Sequence, residues 1–162
     1  MSLEPIKIFI GTSSSEENAR IESAHEHSLR ANCRREISIE WLRNTGNVDP
    51  FWKGWNDTEW DTSYSGFRWG IPEHCNFKGR AIYMDVGVFS TKDISYLHDL
   101  PIPSDKWILG TEDLSVSLWD NEKFLNHFQL SAYWKHDSSF CHYLHEWLSR
   151  YDYLGSIPTE YI

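Results

Sequence analysis

Isoleucines recur at every second position in Ile6-Lys7-Ile8-Phe9-Ile10, the pattern of a strong opening β-strand. The small polar run Gly11-Thr12-Ser13-Ser14-Ser15 closes it and leads into Glu16-Glu17-Asn18-Ala19-Arg20, a helix start. Ser14 and Glu17 have capping-box spacing, and acidic residues suit the first turn of a helix predicted to run to about Asn32. Strand, small-residue loop and helix form the opening of a βαβ unit. Backbone N–H groups of such a loop are placed to receive a phosphate or ribose. The glycines of a dinucleotide fingerprint and of a P-loop are missing from it.

Glu36-Ile37-Ser38-Ile39-Glu40-Trp41-Leu42 alternates again and predicts a second strand. Residues 43–63 have no period and read as a long loop. Tyr64 to Glu73 reads as a short helix, with Phe67 and Ile71 at i, i+4 spacing, and an apolar strand over 80–85 follows. Beyond it come a helix near Asp93 to Leu100, with Asp93 as N-cap, and strands over 106–109 and 114–119. Helices over about 121–127 and 138–150 complete the pattern. No repeat, low-complexity tract or linker interrupts it, so one α/β domain is expected over residues 1–162.

The run Gly79-Arg80-Ala81-Ile82-Tyr83-Met84-Asp85-Val86-Gly87 carries the candidate chemistry. Buried parallel strands are near-continuous apolar runs, and open α/β sheets bind ligands at the carboxyl ends of their strands. Asp85 at such an end reads either as a loop or cap residue, or as a carboxylate for a divalent cation that in turn holds a diphosphate.

Composition narrows the choice. Net charge is −9, and the one basic cluster, Arg30, Arg34 and Arg35, falls near the end of the first helix, where it suits the macrodipole. That balance argues against nucleic acid as a partner. The chain has no apolar run long enough to span a membrane and no basic-then-apolar leader, so a cytoplasmic location is expected. Cys33, Cys75 and Cys141 lie far apart and read as free thiols rather than a zinc knuckle or a CxxC motif. His142 and His145 share a helix face without a matching third ligand. Most of the nine tryptophans are expected in packing, while the stretch from Trp52 to Trp60 is a candidate carbohydrate or protein contact surface.

Several segments, in order, resemble small bacterial and phage-type glycosyltransferases of the GT-A fold, akin to family eight. Ile6 to Gly11 is like that family's opening strand. Thr62-Ser63-Tyr64-Ser65-Gly66-Phe67-Arg68-Trp69-Gly70-Ile71-Pro72 is similar to its Thr-Glu-Phe-x-x-x-Arg-Phe-x-x-Pro stretch. Cys75 to Gly87 resembles Gly-Tyr-x-Gly-x-Ala-Ile-Tyr-Leu-Asp-x-Asp, and Asp93-Ile94-Ser95-Tyr96-Leu97 looks like its Asp-Ile-x-x-Leu. Ser115 to Asp120 resembles a later Ser-x-Met-Leu-Phe-Asn/Asp strand, and Ile157-Pro158-Thr159-Glu160-Tyr161 the closing Leu-Pro-x-x-Trp/Tyr.

The resemblance implies a three-layer, Rossmann-like α/β sandwich with a mostly parallel central sheet, as a minimal or truncated version of the family's domain. It implies transfer of a sugar from a nucleoside-diphosphate donor, commonly UDP, to an acceptor. Asp85 would bind Mn²⁺ or Mg²⁺, Gly11 and Thr12 would line the nucleotide pocket, and Arg68 would approach the nucleotide or diphosphate. Asp113 and Asp120 are candidates to position the acceptor hydroxyl or act as base. Gly87 stands where the family has its second acidic ligand and Ser63 where it has an earlier acidic residue, with Asp93 and His98 as substitute ligands. A non-catalytic descendant of the fold, binding a sugar, nucleotide or protein, is the second reading. An unrelated α/β subunit whose aromatic surface is buried in a homo-oligomer is the third.

Overall fold

Six strands make one sheet in the computed structural model, which describes residues 4–13, 16–43, 50–52, 65–125 and 139–158. They are β1 (Ile6–Thr12), β2 (Ile37–Arg43), β3 (Arg80–Asp85), β4 (Ile108–Gly110), β5 (Val116–Asp120) and β6 (Leu154–Ser156), in the order β2-β1-β3-β5-β4-β6. β1 pairs in parallel with both β2 and β3, and β4 in parallel with β6. β5 alone among them runs the other way, wedged between β3 and β4. The carboxyl edge of the sheet therefore gathers the ends of β1, β2, β3 and β4 with the beginning of β5.

Alternation along each strand divides the core into two layers. Ile6, Ile8, Ile10, Ile82, Met84 and Leu118 pack on one face with Leu29 of α1 (Glu16–Asn32) and Leu97 of α3 (Ile94–His98). Phe9, Ala81, Tyr83, Ile108 and Trp119 pack on the other face with Trp69, Ile71 and Leu148. Leu148 belongs to α4 (Ser139–Arg150), and Ile71 opens α2 (Ile71–His74). Helices on both faces of a mostly parallel sheet form the expected three-layer sandwich. Each fully buried aliphatic or aromatic side chain contributes about 1.5–3 kcal/mol to it.

The expected helix over Tyr64 to Glu73 is a 3-10 turn, Ser65–Gly70, followed by the single turn of α2, with Pro72 in its first positions. Of the expected helix over 121–127, the described part is a 3-10 turn, Asn121–Phe124. Trp52 is not a surface residue: it is 2% exposed, stacks on His74 at 5.2 Å and donates to Glu40. β6 had no sequence signal, being three residues long with a glycine at its centre. A Cβ at Gly155 would meet Leu109 Cδ2 at 2.5 Å, so glycine lets β6 lie close against β4.

Arg30, Arg34 and Arg35 are paired with Glu26, Asp93 and Asp99. Among the described residues no helix is long and apolar enough to cross a membrane. Ser14, the other tryptophans of the 52–60 stretch, Thr62 to Tyr64 and Thr159 to Tyr161 lie outside the described residues, as do the side chains of Glu17, Cys141 and His142.

Candidate active site

Gly11, Asp85 and Ser115 form a row across three strands at the carboxyl edge. Gly11 pairs with Asp85 in the β1–β3 register, and the Asp85 N–H donates to Ser115 O at 2.8 Å. Asp85 extends from the same face of β3 as Tyr83, because strand side chains repeat every second residue. The Tyr83 hydroxyl donates to Asp85 Oδ1 at 2.7 Å, while the Tyr83 ring is wholly buried in the tryptophan-rich layer. Burial pushes the Asp85 carboxyl above its ordinary range, against the Tyr83 hydrogen bond and the charge of Arg68, which hold it down. Nearby Asp113 adds to the upward push.

Arg68 comes from the 3-10 turn before α2. Its guanidinium carbon lies 5.5 Å from the centroid of the Tyr83 ring, and Nη1 donates to Asp113 O at 2.9 Å. Its Nε is buried without a partner among the described residues, and an unmet buried donor costs about 1–3 kcal/mol. Tyr83 is thus shared: its ring face meets the guanidinium and its hydroxyl meets the carboxylate.

Asp113 sits in a tight turn between β4 and β5. Leu114 takes a left-handed backbone there (φ 59°), and its N–H donates to Thr111 O. Asp113 Oδ1 accepts from Thr111 Oγ1 at 2.9 Å and from the Ser115 N–H at 3.0 Å. The Ser115 N–H first, with the Thr111 hydroxyl helping, holds this carboxyl below the usual carboxylate range. A weakened base results, suited to orienting a hydroxyl rather than to taking its proton outright.

Three expectations are placed elsewhere. Thr12 is fully buried on the opposite face from Asp85, its hydroxyl donating to Glu22 Oε1 at 2.8 Å and accepting from Asn18. Glu22 also accepts from Arg43, so this group ties β1, β2 and α1 together, and the Thr12 side chain does not reach the Asp85 row. Asp120 pairs with Arg80 at the amino end of β3, five strand residues or roughly 17 Å from Asp85, because β5 is antiparallel. It is not brought to the site. Asp93 caps α3 by accepting from the Ser95 N–H and bonds Arg34, and the His98 ring nitrogen lies 2.8 Å from Asp99, so both substitute ligands are engaged away from Asp85.

Sequence reasoning missed Tyr83 and Ser115. Tyr83 was legible in principle, two residues before Asp85 on one strand. Ser115 was not, since its place depends on the β3–β5 register.

The sequence matches no family model and no curated protein. Solved structures match instead. Apo GlyE, a glycosyltransferase of Streptococcus pneumoniae TIGR4, superposes with a TM-score of 0.61 at 12% identity, over 98% of this chain and 46% of that one. The galactosyltransferase LgtC, solved with donor and acceptor sugar analogs, gives 0.57 at 16% identity over 91% of this chain and 65% of that one. The bifunctional glycosyltransferase WbbM gives 0.64 at 10% identity over 98% of this chain and 40% of that one.

The fold is that of the GT-A-type glycosyltransferases. This chain spans less than two thirds of the length of each of these neighbours. A glycosyltransferase of this fold is expected to carry Mn²⁺ or Mg²⁺ on paired carboxylates, and the described residues around Asp85 do not fit that ion. Hard cations of this kind take several oxygen ligands, carboxylates foremost. Asp85 offers one carboxylate, with Oδ1 already bonded by Tyr83. Position 87 cannot add a second. Gly87 turns the chain with φ 92°, its N–H donates to His25 Nδ1 at 3.3 Å, and a Cβ there would lie 3.7 Å from Ile21 Cγ2. A Cβ at 87 would lie beside Ile21 of α1, whereas Asp85 shares the opposite, Tyr83 face of the sheet. Among the described residues no three His, Cys, Asp or Glu side chains converge on a metal position.

Proposed function

We propose that this chain carries the donor site of a glycosyltransferase and transfers a sugar from a nucleoside-diphosphate donor, a UDP-sugar first among them, to a hydroxyl acceptor. The observation that carries the reading is the carboxyl-edge row of Gly11, Asp85 and Ser115 with Arg68 beside it, on a sheet of glycosyltransferase topology. Gly11 puts no side chain against Asp85 across the β1–β3 pair, and the nucleotide lies against this edge. The Asp85 carboxylate and the Ser115 hydroxyl bind donor hydroxyls, and Arg68 faces the diphosphate. Asp113 orients the acceptor hydroxyl.

In the transfer, the bond from the anomeric carbon to the diphosphate oxygen breaks and that oxygen keeps the electron pair. A new bond forms from the anomeric carbon to the acceptor oxygen, whose proton passes to solvent. Charge thus develops on the departing diphosphate, and a positive group held at that position lowers the barrier.

Release of nucleoside diphosphate from a panel of UDP-, GDP- and ADP-sugars tests the proposal. Turnover of at least one donor is expected, falling about 100-fold or more in Asp85→Asn, the scale for losing a group that contacts the reacting substrate. No release from any donor, with or without simple sugar acceptors, contradicts transfer by this chain.

A further inference from the structure

We infer that the site binds its diphosphate without a divalent cation, with the Arg68 guanidinium standing where the cation would. The inference rests on the donor-site reading above and deepens it. Two independent observations lead to it: among the described residues the acidic pair of positions 85 and 87 is reduced to Asp85, and a fixed positive charge stands beside it.

The first is geometric. The turn at Gly87 sends the chain toward α1, where Gly87 meets His25 and Ser90 meets Ser28 and Asn32. Asp85 is left without the paired carboxylate of its motif, and nearby Asp113 is engaged by the Ser115 N–H and the Thr111 hydroxyl. The second concerns Arg68. Its charge acts on Asp85 through space, and the Tyr83 ring and the Asp113 carbonyl hold it at two points. A guanidinium has five N–H donors in a planar fork that matches phosphate oxygens two at a time. Among the described residues one of them is used, from Nη1 to Asp113 O, and the buried Nε has no partner.

Positioning also separates the two charges by task. The guanidinium donates to phosphate oxygens, while Asp85, already accepting from Tyr83, accepts from hydroxyls of the ribose or sugar.

Titration calorimetry of the full chain with UDP tests the inference, in EDTA and again in millimolar Mn²⁺ or Mg²⁺. Equal affinity within about threefold in the two buffers is expected, with Arg68→Gln weakening binding at least tenfold and Arg68→Lys falling between. Circular dichroism of each variant checks that it is folded. The wild-type comparison of buffers stands even where a variant fails to fold. Binding that appears only with metal overturns the inference while leaving the donor site intact. Metal-free binding that a folded Arg68→Gln retains overturns the role of Arg68. Absence of UDP binding in either buffer overturns the donor-site reading and the inference with it.

Discussion

Tyr83 and Asp85 are joined hydroxyl to carboxylate at 2.7 Å, two residues apart on one face of β3. One end of this pair belongs to the core and the other to the candidate site. Packing around the Tyr83 ring consequently fixes where the Asp85 carboxylate stands.

Tyr83→Phe removes that hydroxyl and leaves the half-buried carboxylate without its donor. Asp85 is then expected to titrate at higher pH than in the wild type, read by carbon NMR of the side-chain carboxyl, with a stability loss of about 1–3 kcal/mol. An unmoved Asp85 titration would show that the hydrogen bond does not govern the carboxylate.

Asp85 also sets a pH dependence of stability. Its folded-state pKa is raised, chiefly by burial, so the folded chain binds the proton more tightly than the unfolded chain. That contribution is fully present below the unfolded carboxyl pKa and is lost as pH rises through the folded value. Asp85→Asn is therefore expected to be more stable than wild type at pH 7, read as a higher Tm. The advantage should shrink as pH falls. Thermal melts across pH 4–8 check both points.

His25 works with the opposite sign. It is wholly buried, its Nδ1 accepts from the Gly87 N–H, and burial lowers its pKa to about 4 from an ordinary 6.5. Between those values the unfolded chain takes the proton and the folded chain does not, so stability falls as pH drops. The loss amounts to about 3 kcal/mol by pH 4. His25→Gln keeps an acceptor for Gly87 and has no proton to gain, so urea denaturation should show a flatter profile over pH 4–6.5. A variant as acid-sensitive as the wild type would place that sensitivity on other groups.

Gly87→Asp restores the acidic pair in sequence but not in space. The left-handed backbone disfavours aspartate, and the side chain would face Ile21 rather than Asp85. A stability loss of about 1–2 kcal/mol is expected, with no gain of Mn²⁺ binding by calorimetry. Tight Mn²⁺ binding by this variant would contradict the orientation found at position 87.

Strand and helix periodicity made most of the fold legible before any coordinates. β1, α1, β2, β3 and α4 lie within a few residues of their sequence-based bounds, because each has enough turns or alternations to show its period. β6 was hidden because three residues around a glycine have no period, and their pairing depends on β4. At the carboxyl edge, motif and position named Asp85, Gly11 and Arg68, and the structure brings these three together. Thr12 and Asp120 were misplaced for a shared reason. Sequence gives the order of residues along a strand, but the face Thr12 takes and the direction β5 runs are set by tertiary packing. The meaning of Gly87 was likewise only half visible. A missing carboxylate can be read from sequence, whereas the left-handed turn that ties Gly87 to His25 cannot.

Backbone amide NMR of the labelled chain titrated with UDP locates the donor site most directly. The largest shifts are expected on Gly11, Arg68, Asp85 and the 111–115 turn. Shifts that instead gather around the separate cavity of about 300 Å³ between Phe89, Tyr96 and Met84 on the α1 side of the sheet, or no shifts at all, would contradict it.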